Sequence, residues 1–422
     1  MTLCCVLGLG YIGLPTSIII AKAGYKVVGV DVDENVVSSI NNGIVHIKEP
    51  FLQEALTSVL GKGTLSASLI PVKAEVYIIA VPTPFYSNKK SIPEPNITYV
   101  KDAIKSILPY LKKGSLVILE STSPIGTTKI IADIIFENKE FSKKDIFIAY
   151  CPERVLPGNI LYELVHNDRV IGGINEESSN KAVSYYKEFS KGKLIKTSSE
   201  TAELVKLSEN AYRDVNIAFA NELSMISEKF EIDVNELISI ANHHPRVNIL
   251  NPGCGVGGHC IAVDPWFIAS SSPDDTPLIQ TARFVNNKKV KWVINKIKAL
   301  LIKSQLPKED KIIGIFGIAY KSDIDDLRES PALKIALELQ SEGYTILVSE
   351  PNITSHDELK IREMHEVLDQ SFLSVFLVSH NEFQDLDLQD KNFLDNLSWL
   401  NILDCKMVGG LEANFQRQVN HS

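Results

Sequence analysis

A glycine-rich turn close to the N-terminus constrains the fold of this chain more than any other feature. The apolar run Leu3–Leu7 is followed by Gly8, Gly10 and Gly13, spaced as G-x-G-x-x-G, and Pro15–Ala23 then has a helical pattern. Between a strand and a helix, such glycines let the backbone approach a pyrophosphate, and the helix N-terminus supplies N–H donors. The turn therefore predicts the first strand and helix of a dinucleotide-binding domain.

An acidic residue ends the second predicted strand, Lys26–Val30, near the offset at which such domains bind the cofactor ribose. This residue, Asp31, can accept hydrogen bonds from both ribose hydroxyls of NAD, and its charge repels the extra phosphate of NADP. A glycine turn required only for packing is the alternative. Because the glycines, the helix and the acid fall in register, we predict an NAD site.

The first half of the chain continues to alternate strands with helices, which predicts a parallel sheet covered on both faces. Further apolar runs, each followed by Pro, Ser or Thr, have the pattern of strands: Val76–Val81, Leu116–Leu119 and Ile146–Tyr150. Thr98–Leu111 lies between two of these runs and is helical. Since ligands bind outside the carboxyl ends of such strands, Thr83 and Thr122 are candidates to contact nicotinamide, although turn chemistry explains them equally well.

The second half begins with a long helix and ends with a smaller α/β unit. Thr201–Phe230 has apolar residues at helical spacing with few helix breakers, and Val234–Ala241 and Ile279–Lys303 are also helical. After the polar linker Gln305–Asp310, the pattern of strand, helix and strand restarts at Lys311–Phe316, Pro331–Glu342 and Tyr344–Val348. We therefore predict an α/β fold with a helical middle section.

Charge and cysteine content narrow the class of protein. The formal net charge of -9 argues against nonspecific nucleic-acid binding. The six cysteines form no CxxC pair, so we expect neither a disulfide framework nor a zinc or other metal site. Residues 1–21 superficially resemble a signal peptide, but they lack a basic start and contain helix-breaking glycines. We expect a cytoplasmic protein without a membrane span.

The most unusual stretch is rich in glycine and ends at a cysteine, because residues 253–260 read GCGVGGHC. Glycines at this density allow the close approach of a ligand. Pro265 marks the first turn of a following helix, so Cys260 would lie just before a helix N-terminus, where a thiolate is stabilised. Although cysteine is commonly a small buried hydrophobe, we predict that Cys260 is a nucleophile, with Asp264 four residues later.

Several polar residues have two open interpretations. Lys206, Asn210 and Arg213 share one face of the long helix, which suits a ligand site or a solvated face equally. Glu153 follows a strand and either activates a water or pairs with an arginine. Positive residues in loops are candidate diphosphate ligands or ordinary solvated charges: His243, His244, Arg246, Lys321 and Arg328.

Eight segments together resemble the UDP-glucose/GDP-mannose dehydrogenase family over nearly the whole chain. They read GLGYIGLPT (8–16), AVPTP (80–84), LESTSP (119–124), YCPERVLPG (150–158), NDRVIGG (167–173), TAELVKLSENAYRDVNIAFANEL (201–223), NHHPRVNILNPGCGVGGHCIAVDPWFI (242–268) and FGIAYKSDIDDLRESPA (316–332). One departure is Cys254, which stands where relatives often have proline. This departure removes no catalytic group.

The resemblance implies a fold of two Rossmann-like, doubly wound α/β domains joined by a long central helix and a helical region. The implied parts are an NAD-binding domain at 1–199, a central dimerisation and catalytic region at 200–304, and a UDP-sugar-binding domain at 305–422. A homodimer or a dimer of dimers is the implied assembly.

The resemblance also implies which residues act in the site. Cys260 would be the nucleophile and Lys206 the proton donor and acceptor, with Asn210, Asp264, Glu153 and Thr122 completing the catalytic group. The implied NAD contacts are Gly8, Gly10, Tyr11, Ile12, Gly13, Asp31, Thr83, Thr128 and Arg328. The implied contacts of the sugar nucleotide are Arg154, Val155, Lys206, Asn210, Arg213, His244, Arg246, Gly257, Tyr320, Lys321 and Lys406.

The implied reaction is a four-electron oxidation of a sugar-nucleotide C6 alcohol to a carboxylate, through a thiohemiacetal and a thioester on Cys260. The expected substrate is UDP-N-acetyl-D-mannosamine, used for polysaccharide biosynthesis, with UDP-N-acetylglucosamine, UDP-glucose or GDP-mannose as alternatives. Outside the family, a two-electron hydroxyacid dehydrogenase shares the cofactor fold but needs no cysteine. A nucleotide-sensing protein without catalysis is a further alternative.

Overall fold

The computed structural model describes residues 2–86, 92–137, 141–156, 158–258, 260–302, 307 and 311–384. These residues form two compact units. The first comprises Met1–Glu209 and Trp266–Asp275, and the second comprises Asn210–Pro265 and the residues from Thr276 onward. The three domain ranges expected from the sequence stay a prediction.

The first unit is built on a twisted sheet whose strands are β1 (Leu3–Leu7), β2 (Lys26–Val30), β3 (Leu65–Ser68), β4 (Val76–Ile79), β5 (Leu116–Leu119), β6 (Phe147–Tyr150), β7 (Arg169–Gly173) and β8 (Leu194–Ser198). The strand order is β3-β2-β1-β4-β5-β6-β7-β8. Strands β1 to β6 are parallel to one another, and their order is that of a doubly wound dinucleotide-binding fold. The Rossmann-like fold predicted for this part of the chain is confirmed.

Helices cover both faces of this sheet. They are α1 (Gly13–Lys22), α2 (Glu34–Asn41), α3 (Leu52–Gly61), α4 (Thr98–Ile107), α5 (Thr127–Glu137), α6 (Ile160–His166) and α7 (Glu176–Tyr186). Successive residues of β1 point to opposite faces, so Cys4 and Val6 join one apolar core while Cys5 and Leu7 join the other. The alternation explains why a strand buried on both faces reads as a continuous apolar run.

The sheet extends beyond the parallel part through β7 and β8, a pair that the sequence patterns did not predict. Strand β7 runs antiparallel to β6, with Ala149 opposite Gly173 and Tyr150 opposite Gly172. A Cβ atom on Gly172 would lie 2.2 Å from the carbonyl oxygen of Ser198, so a side chain is excluded there. The glycine pair is therefore a packing requirement of this edge of the sheet.

A long helix, α8 (Ser199–Lys229), passes from the first unit into the second. The remaining elements are α9 (Val234–Ala241), α10 (Asp264–Ser271), α11 (Pro277–Ile302), β9 (Ile313–Phe316), α12 (Pro331–Ser341), β10 (Ile346–Ser349), β11 (Lys360–Ile361), α13 (Met364–Gln370), β12 (Leu373–Phe376) and α14 (Asn381–Gln384). Strands β9 to β12 form a parallel sheet in the order β11-β10-β9-β12. The smaller parallel sheet confirms the predicted second Rossmann-like domain, and α8 confirms the predicted long helix. Among the described residues, no helix is long and apolar enough to cross a membrane.

Candidate active site

The three positions of the first turn are glycine for different structural reasons. Gly8 has a φ of +89° and a Cβ atom there would lie 2.5 Å from the carbonyl oxygen of Ala80, while a Cβ on Gly13 would lie 1.7 Å from the carbonyl oxygen of Gly8. Packing within the protein therefore excludes side chains at both positions. A Cβ on Gly10 would meet no described atom within 4 Å. Packing alone does not explain Gly10, and its contact with a pyrophosphate stays a prediction.

The acid at the end of β2 is bonded to the same turn. Asp31 Oδ2 accepts a hydrogen bond from the N–H of Leu9 at 2.8 Å, and Oδ1 accepts one from the N–H of Asp33 at 3.1 Å. The carboxylate is half-buried, and each oxygen keeps lone-pair capacity for a further donor. The next side chain, Val32, is 93% exposed, so the surface beside the carboxylate is apolar and open. This geometry suits a ribose followed by an aromatic base.

We predict that Asp31→Ala lowers the preference for NAD over NADP. The variant loses charged acceptors for the ribose hydroxyls and loses the repulsion of a phosphate, which together correspond to roughly tenfold or more in the ratio of kcat/KM values. Steady-state kinetics with both cofactors measures this ratio. Asp33→Ala is the matched control, since Asp33 caps helix α2 through Asn35. An unchanged ratio of kcat/KM values for NAD and NADP in Asp31→Ala would show that the carboxylate does not bind the ribose hydroxyls.

The two threonines that follow neighbouring strands lie together. Thr83 donates its hydroxyl hydrogen to the carbonyl oxygen of Thr122 at 2.6 Å, and both residues are half-exposed at the carboxyl ends of β4 and β5. Thr128 differs, because its side chain is fully buried and donates to Glu203 Oε1 at 2.6 Å. The same carboxylate also accepts the N–H groups of Gly126 and Thr128 and so caps helix α5. NAD contacts by Thr83 and Thr128 stay predictions.

Glu153 belongs to a buried charged cluster. The guanidinium of Arg169 lies 3.6 Å from Glu153 Oε2 and 4.0 Å from Glu120 Oε1. Tyr186 donates its hydroxyl hydrogen to Glu120 Oε1 at 2.7 Å, and the N–H of Arg154 donates to Glu153 Oε1 at 2.7 Å. Glu153 Oε2 is buried and accepts no hydrogen bond from the described residues. Two carboxylates thus share one guanidinium, and Glu153 retains an oxygen that can bind a water.

Two carboxylates beside one cation favour protonation of one of them. Burial raises the pKa of Glu120 from its ordinary value of 4.5 to about 7, and the charge of Glu153 acts in the same direction against the opposing charge of Arg169. In the unfolded chain Glu120 has its ordinary pKa, so the folded state binds more protons between these two values. The free energy of unfolding contributed by Glu120 therefore falls as the pH rises from about 4.5 through about 7, and it levels off at higher pH.

We predict that Glu120→Gln removes this pH-dependent loss in the free energy of unfolding. The difference in thermal midpoint, variant minus native, should increase by at least about 2 °C between about pH 5 and about pH 8. Thermal unfolding followed by circular dichroism at several pH values measures this difference. Glu34→Gln is the control, because Glu34 is exposed on helix α2. A difference that stays constant with pH would show that Glu120 titrates normally.

Lys206 and Arg154 lie in different environments. Arg154 forms a bidentate ion pair with Glu209 of helix α8, with distances of 3.0 and 2.6 Å, and the neighbouring Val155 is half-buried against Ile160. The side chain of Lys206 is 9% exposed, and its ammonium has no hydrogen bond or ion pair with the described residues. Buried lysines usually have a partner, and the catalytic role of Lys206 stays a prediction.

One turn further along α8, a buried pair links the helix to the cysteine segment. Asn210 donates from Nδ2 to Asp264 Oδ2 at 2.6 Å, and both side chains are buried, whereas Arg213 is exposed. The carbonyl oxygen of Cys260 accepts the N–H groups of Val263 and Asp264, at 3.0 and 2.8 Å. This turn leads into helix α10, as the position of Pro265 predicted. The stripe on α8 is thus a buried polar face at Asn210 and a solvated one at Arg213.

Cys260 differs from the other described cysteines in its exposure. Cys260 is a partly exposed residue, while Cys4, Cys5, Cys151 and Cys254 are buried. Burial raises the pKa of Cys5 to about 11 and that of Cys151 to about 12, and it raises the pKa of Cys4 further. Thiols with such pKa values are protonated and unreactive at neutral pH. Among the described cysteines, Cys260 alone combines access with a position before a helix.

The glycine-rich segment before Cys260 packs against the loop that follows β9. A Cβ atom on Gly257 would lie 2.8 Å from Tyr320 Cβ, and one on Gly258 would lie 2.7 Å from the Tyr320 ring. The N–H of Gly258 donates to the carbonyl oxygen of Arg328 at 3.0 Å. The structure thus brings Gly257 and Tyr320 together, two residues assigned to the substrate by the resemblance.

The remaining charged residues predicted to contact the substrate or, for Arg328, NAD lie on the surface or outside the described chain. Lys321, His244 and Arg246 are exposed, and Arg328 forms a bidentate ion pair with Asp326. Lys406 lies outside the described residues. Each of these assignments stays a prediction.

Two asparagines on α8 that the sequence analysis did not single out hold the segment before Cys260. Asn216 accepts the N–H of Leu250 and donates to the carbonyl oxygen of Asn248, and Asn221 accepts the N–H of Gly253. Their only sequence signal is that amides occur among the apolar residues of a long helix. Arg169, in the segment NDRVIGG at 167–173, likewise has no local pattern that predicts its contacts.

Models of one family match the chain in order along its length. They are the NAD binding domain of the UDP-glucose/GDP-mannose dehydrogenase family at residues 2–190, the central domain at 200–288 and the UDP binding domain at 314–408. The chain belongs to this family. The family predicted from the sequence, and NAD as the cofactor, are confirmed.

Individual relatives of this family member extend over almost its whole length. A UDP-N-acetyl-D-mannosamine dehydrogenase from Campylobacter jejuni is 49% identical, covering 90% of this chain and 95% of the relative. An NDP-N-acetyl-D-galactosaminuronic acid dehydrogenase from Ralstonia nicotianae is 45% identical, covering 92% and 94%. The solved structure of UDP-D-ManNAc dehydrogenase from Pyrococcus horikoshii is 36% identical with a TM-score of 0.87, covering 97% and 98%.

Proposed function

We propose that this protein oxidises the C6 alcohol of UDP-N-acetyl-D-mannosamine to the carboxylate, using NAD. The substrate class is supported by the 49% identity to the Campylobacter jejuni enzyme over 90% of this chain. The chemistry is supported by one observation above all, the position of Cys260, a partly exposed cysteine, in the turn before helix α10. A two-electron dehydrogenase has no need of such a thiol.

Each catalytic group has a separate task in this proposal. NAD accepts a hydride in each of the two oxidations. Lys206, directly or through a water, takes the proton of the C6 hydroxyl in the first oxidation. The Cys260 thiolate then adds to the aldehyde carbon and forms a thiohemiacetal, whose oxidation leaves a thioester. Asn210 and Lys206 stabilise the negative oxygen of the tetrahedral species.

Hydrolysis of the thioester completes the reaction. Glu153, whose buried Oε2 accepts no hydrogen bond from the described residues, orients and deprotonates a water, assisted by Thr122 or Asp264. The water adds to the thioester carbonyl, the carbon–sulfur bond breaks, and the sulfur leaves as the thiolate that began the cycle. Arg169, held between Glu153 and Glu120, keeps the base in place. The sugar stays attached to Cys260 while the reduced cofactor is exchanged.

A panel of sugar nucleotides tests the substrate assignment. The purified enzyme with NAD should show its highest kcat/KM for UDP-N-acetyl-D-mannosamine, and mass spectrometry should identify the corresponding uronate. UDP-N-acetylgalactosamine is the second candidate, because of the 45% identity to the Ralstonia nicotianae enzyme. UDP-N-acetylglucosamine, UDP-glucose and GDP-mannose complete the panel. A higher kcat/KM for any of these would overturn the assignment.

We also propose that the chain acts as a homodimer through helix α8, and that dimers can pair further. Tyr212, Phe219 and Ile226 recur at a spacing of seven residues along this helix, and all three side chains are exposed. On a helix this spacing places them on one face. Exposed apolar stripes of this kind mark protein–protein interfaces.

A cytoplasmic location stays a prediction.

Phe219→Asp should therefore weaken the dimer, because it buries a charge without a partner at the centre of the stripe. We expect monomer at concentrations at which the native protein is dimeric, measured by analytical ultracentrifugation. Tyr162→Asp is the matched control, since Tyr162 is an exposed aromatic residue on helix α6. An unchanged sedimentation profile for Phe219→Asp would argue against this interface.

A further inference from the structure

A buried Glu–His pair lies at the carboxyl end of the smaller sheet. Glu350 directly follows β10 and His380 lies in the segment after β12, and the side chains of both are buried. The distance between His380 Nε2 and Glu350 Oε2 is 3.2 Å. No step of the proposed reaction uses either residue, so a buried polar pair at this place calls for another explanation.

The hydrogen bonds of the pair determine the histidine tautomer. The main-chain N–H of Asp323 donates to His380 Nδ1 at 2.9 Å, so Nδ1 must be an acceptor. In the neutral ring the proton is then on Nε2, which donates to Glu350 Oε2. The imidazole thus bridges a main-chain donor on one side and a carboxylate on the other.

Glu350 in turn holds the backbone at the start of the loop that follows β9. Its Oε2 accepts the N–H groups of Ile318 and Ala319 at 2.8 and 3.1 Å, and its Oε1 accepts the N–H of Asn352 at 3.1 Å. Burial alone raises the pKa of Glu350, but the hydrogen bonds from His380 and Ile318 hold it below the ordinary value. The carboxylate is therefore an ionised anchor for these N–H groups.

The pair consequently fixes both ends of one short loop. Glu350 holds Ile318 and Ala319 at its beginning, and His380 holds Asp323 at its end. Asp323 has a φ of +62°, in the left-handed region, and its Oδ1 accepts the N–H of Asn381. Between these fixed points lie Tyr320 and Lys321. A non-glycine residue in the left-handed region needs such support from its surroundings.

The larger sheet offers an internal comparison. There, Asp31 ends the second strand and accepts the N–H of Leu9 from the turn after the first strand. In the smaller sheet, Glu350 follows β10, the parallel neighbour of β9, and accepts N–H groups from the turn after β9. Each oxygen of either acid accepts a main-chain N–H, but Asp31 is half-buried, whereas Glu350 is buried. The second sheet therefore uses its acid to shape a loop rather than to bind a ribose.

We propose that Glu350 and His380 are positioning residues that set the Tyr320–Lys321 loop for the uridine diphosphate portion of the substrate. This inference rests on the proposed function, in which Tyr320 and Lys321 contact the sugar nucleotide. The pair touches neither substrate nor cofactor. Its loss changes the affinity for the nucleotide through the loop, and the affinity for NAD is unaffected.

Two histidine variants separate the two bonds. His380→Gln can place an amide donor near the position of Nε2, but it supplies no acceptor for the N–H of Asp323. His380→Asn can place an acceptor near the position of Nδ1, but its amide does not reach Glu350. We expect His380→Gln to raise both the KM for the UDP-sugar and the Kd for UDP alone by roughly fivefold or more, with the KM for NAD within about twofold of native. His380→Asn should restore part of this loss.

Calorimetry with UDP, steady-state kinetics and thermal unfolding are measured on the same samples, with the exposed His365→Gln as the matched control. If His380→Gln fails to fold, Glu350→Gln serves in its place, since it keeps the shape and removes the charge. The inference is overturned if the thermal midpoint falls while the KM values for the UDP-sugar and for NAD are both unchanged or both raised equally. The pair would then be merely structural. Native protein that binds no UDP would instead overturn the proposed function, and the inference with it.

Discussion

Cys260→Ser should abolish formation of the uronate. A hydroxyl in place of the thiol is not ionised at neutral pH and has no neighbouring base assigned to activate it, so the aldehyde is not captured. We expect the rate of acid formation to fall roughly a thousandfold or more, as when a covalent nucleophile is removed from other enzymes. Liquid chromatography with mass spectrometry, after incubation with UDP-N-acetyl-D-mannosamine and NAD, measures the acid directly.

A second cysteine in the same segment provides the control for this experiment. Cys254 is buried, and its sulfur lies 3.8 Å from the carbonyl oxygen of Leu377. Cys254→Ser changes the same atom in the same glycine-rich stretch and should retain acid formation. Normal uronate production by Cys260→Ser would refute the covalent mechanism, whatever the control does.

The second large effect is expected for Lys206→Met. Methionine matches lysine except for the terminal amine and is easily buried, so the fold should persist while the proton acceptor is lost. General acid–base catalysis by one side chain contributes about a hundredfold to ten-thousandfold, and we expect kcat to fall within this range. Steady-state kinetics of NADH formation measures the change. The KM for the sugar nucleotide should change much less than kcat.

Lys229→Met tests whether any lysine of helix α8 would give this result. Lys229 is the last residue of the helix and is exposed, whereas Lys206 is buried. Native kinetics in Lys229→Met together with a large loss in Lys206→Met would assign the effect to the buried amine. A kcat within tenfold of native in Lys206→Met would exclude Lys206 as the proton acceptor.

Local sequence patterns predicted the bounds of several elements closely, although they did not predict others, such as β7 and β8. The predicted strands Leu3–Leu7, Lys26–Val30 and Leu116–Leu119 agree with the structure at both ends, because each is a short apolar run with polar residues or glycine beside it. The helix predicted at Thr98–Leu111 ends earlier, at Ile107, and continues as a 3₁₀ turn at Leu108–Tyr110. Proline at this point lacks the N–H that a continuing helix needs.

Contacts between distant residues could not be predicted in the same way. Asn210 and Asp264 are 54 positions apart, and Tyr186 and Glu120 are 66 apart, so no periodicity in the sequence records their pairing. Motifs supplied the residue types of the site, but the choice between a surface glutamate and a buried one at Glu153 needed the position of Arg169. The Glu350–His380 pair has no local pattern at all.

Counting NADH per sugar consumed tests the central claim most directly, namely that one thiol carries the sugar through two oxidations. A limiting, weighed amount of UDP-N-acetyl-D-mannosamine is incubated to completion with native enzyme and excess NAD, and absorbance gives the NADH formed. Two molecules of NADH for each sugar, with the uronate as the product, is the result we predict. One molecule of NADH for each sugar would contradict the account, since it would leave Cys260 without a function.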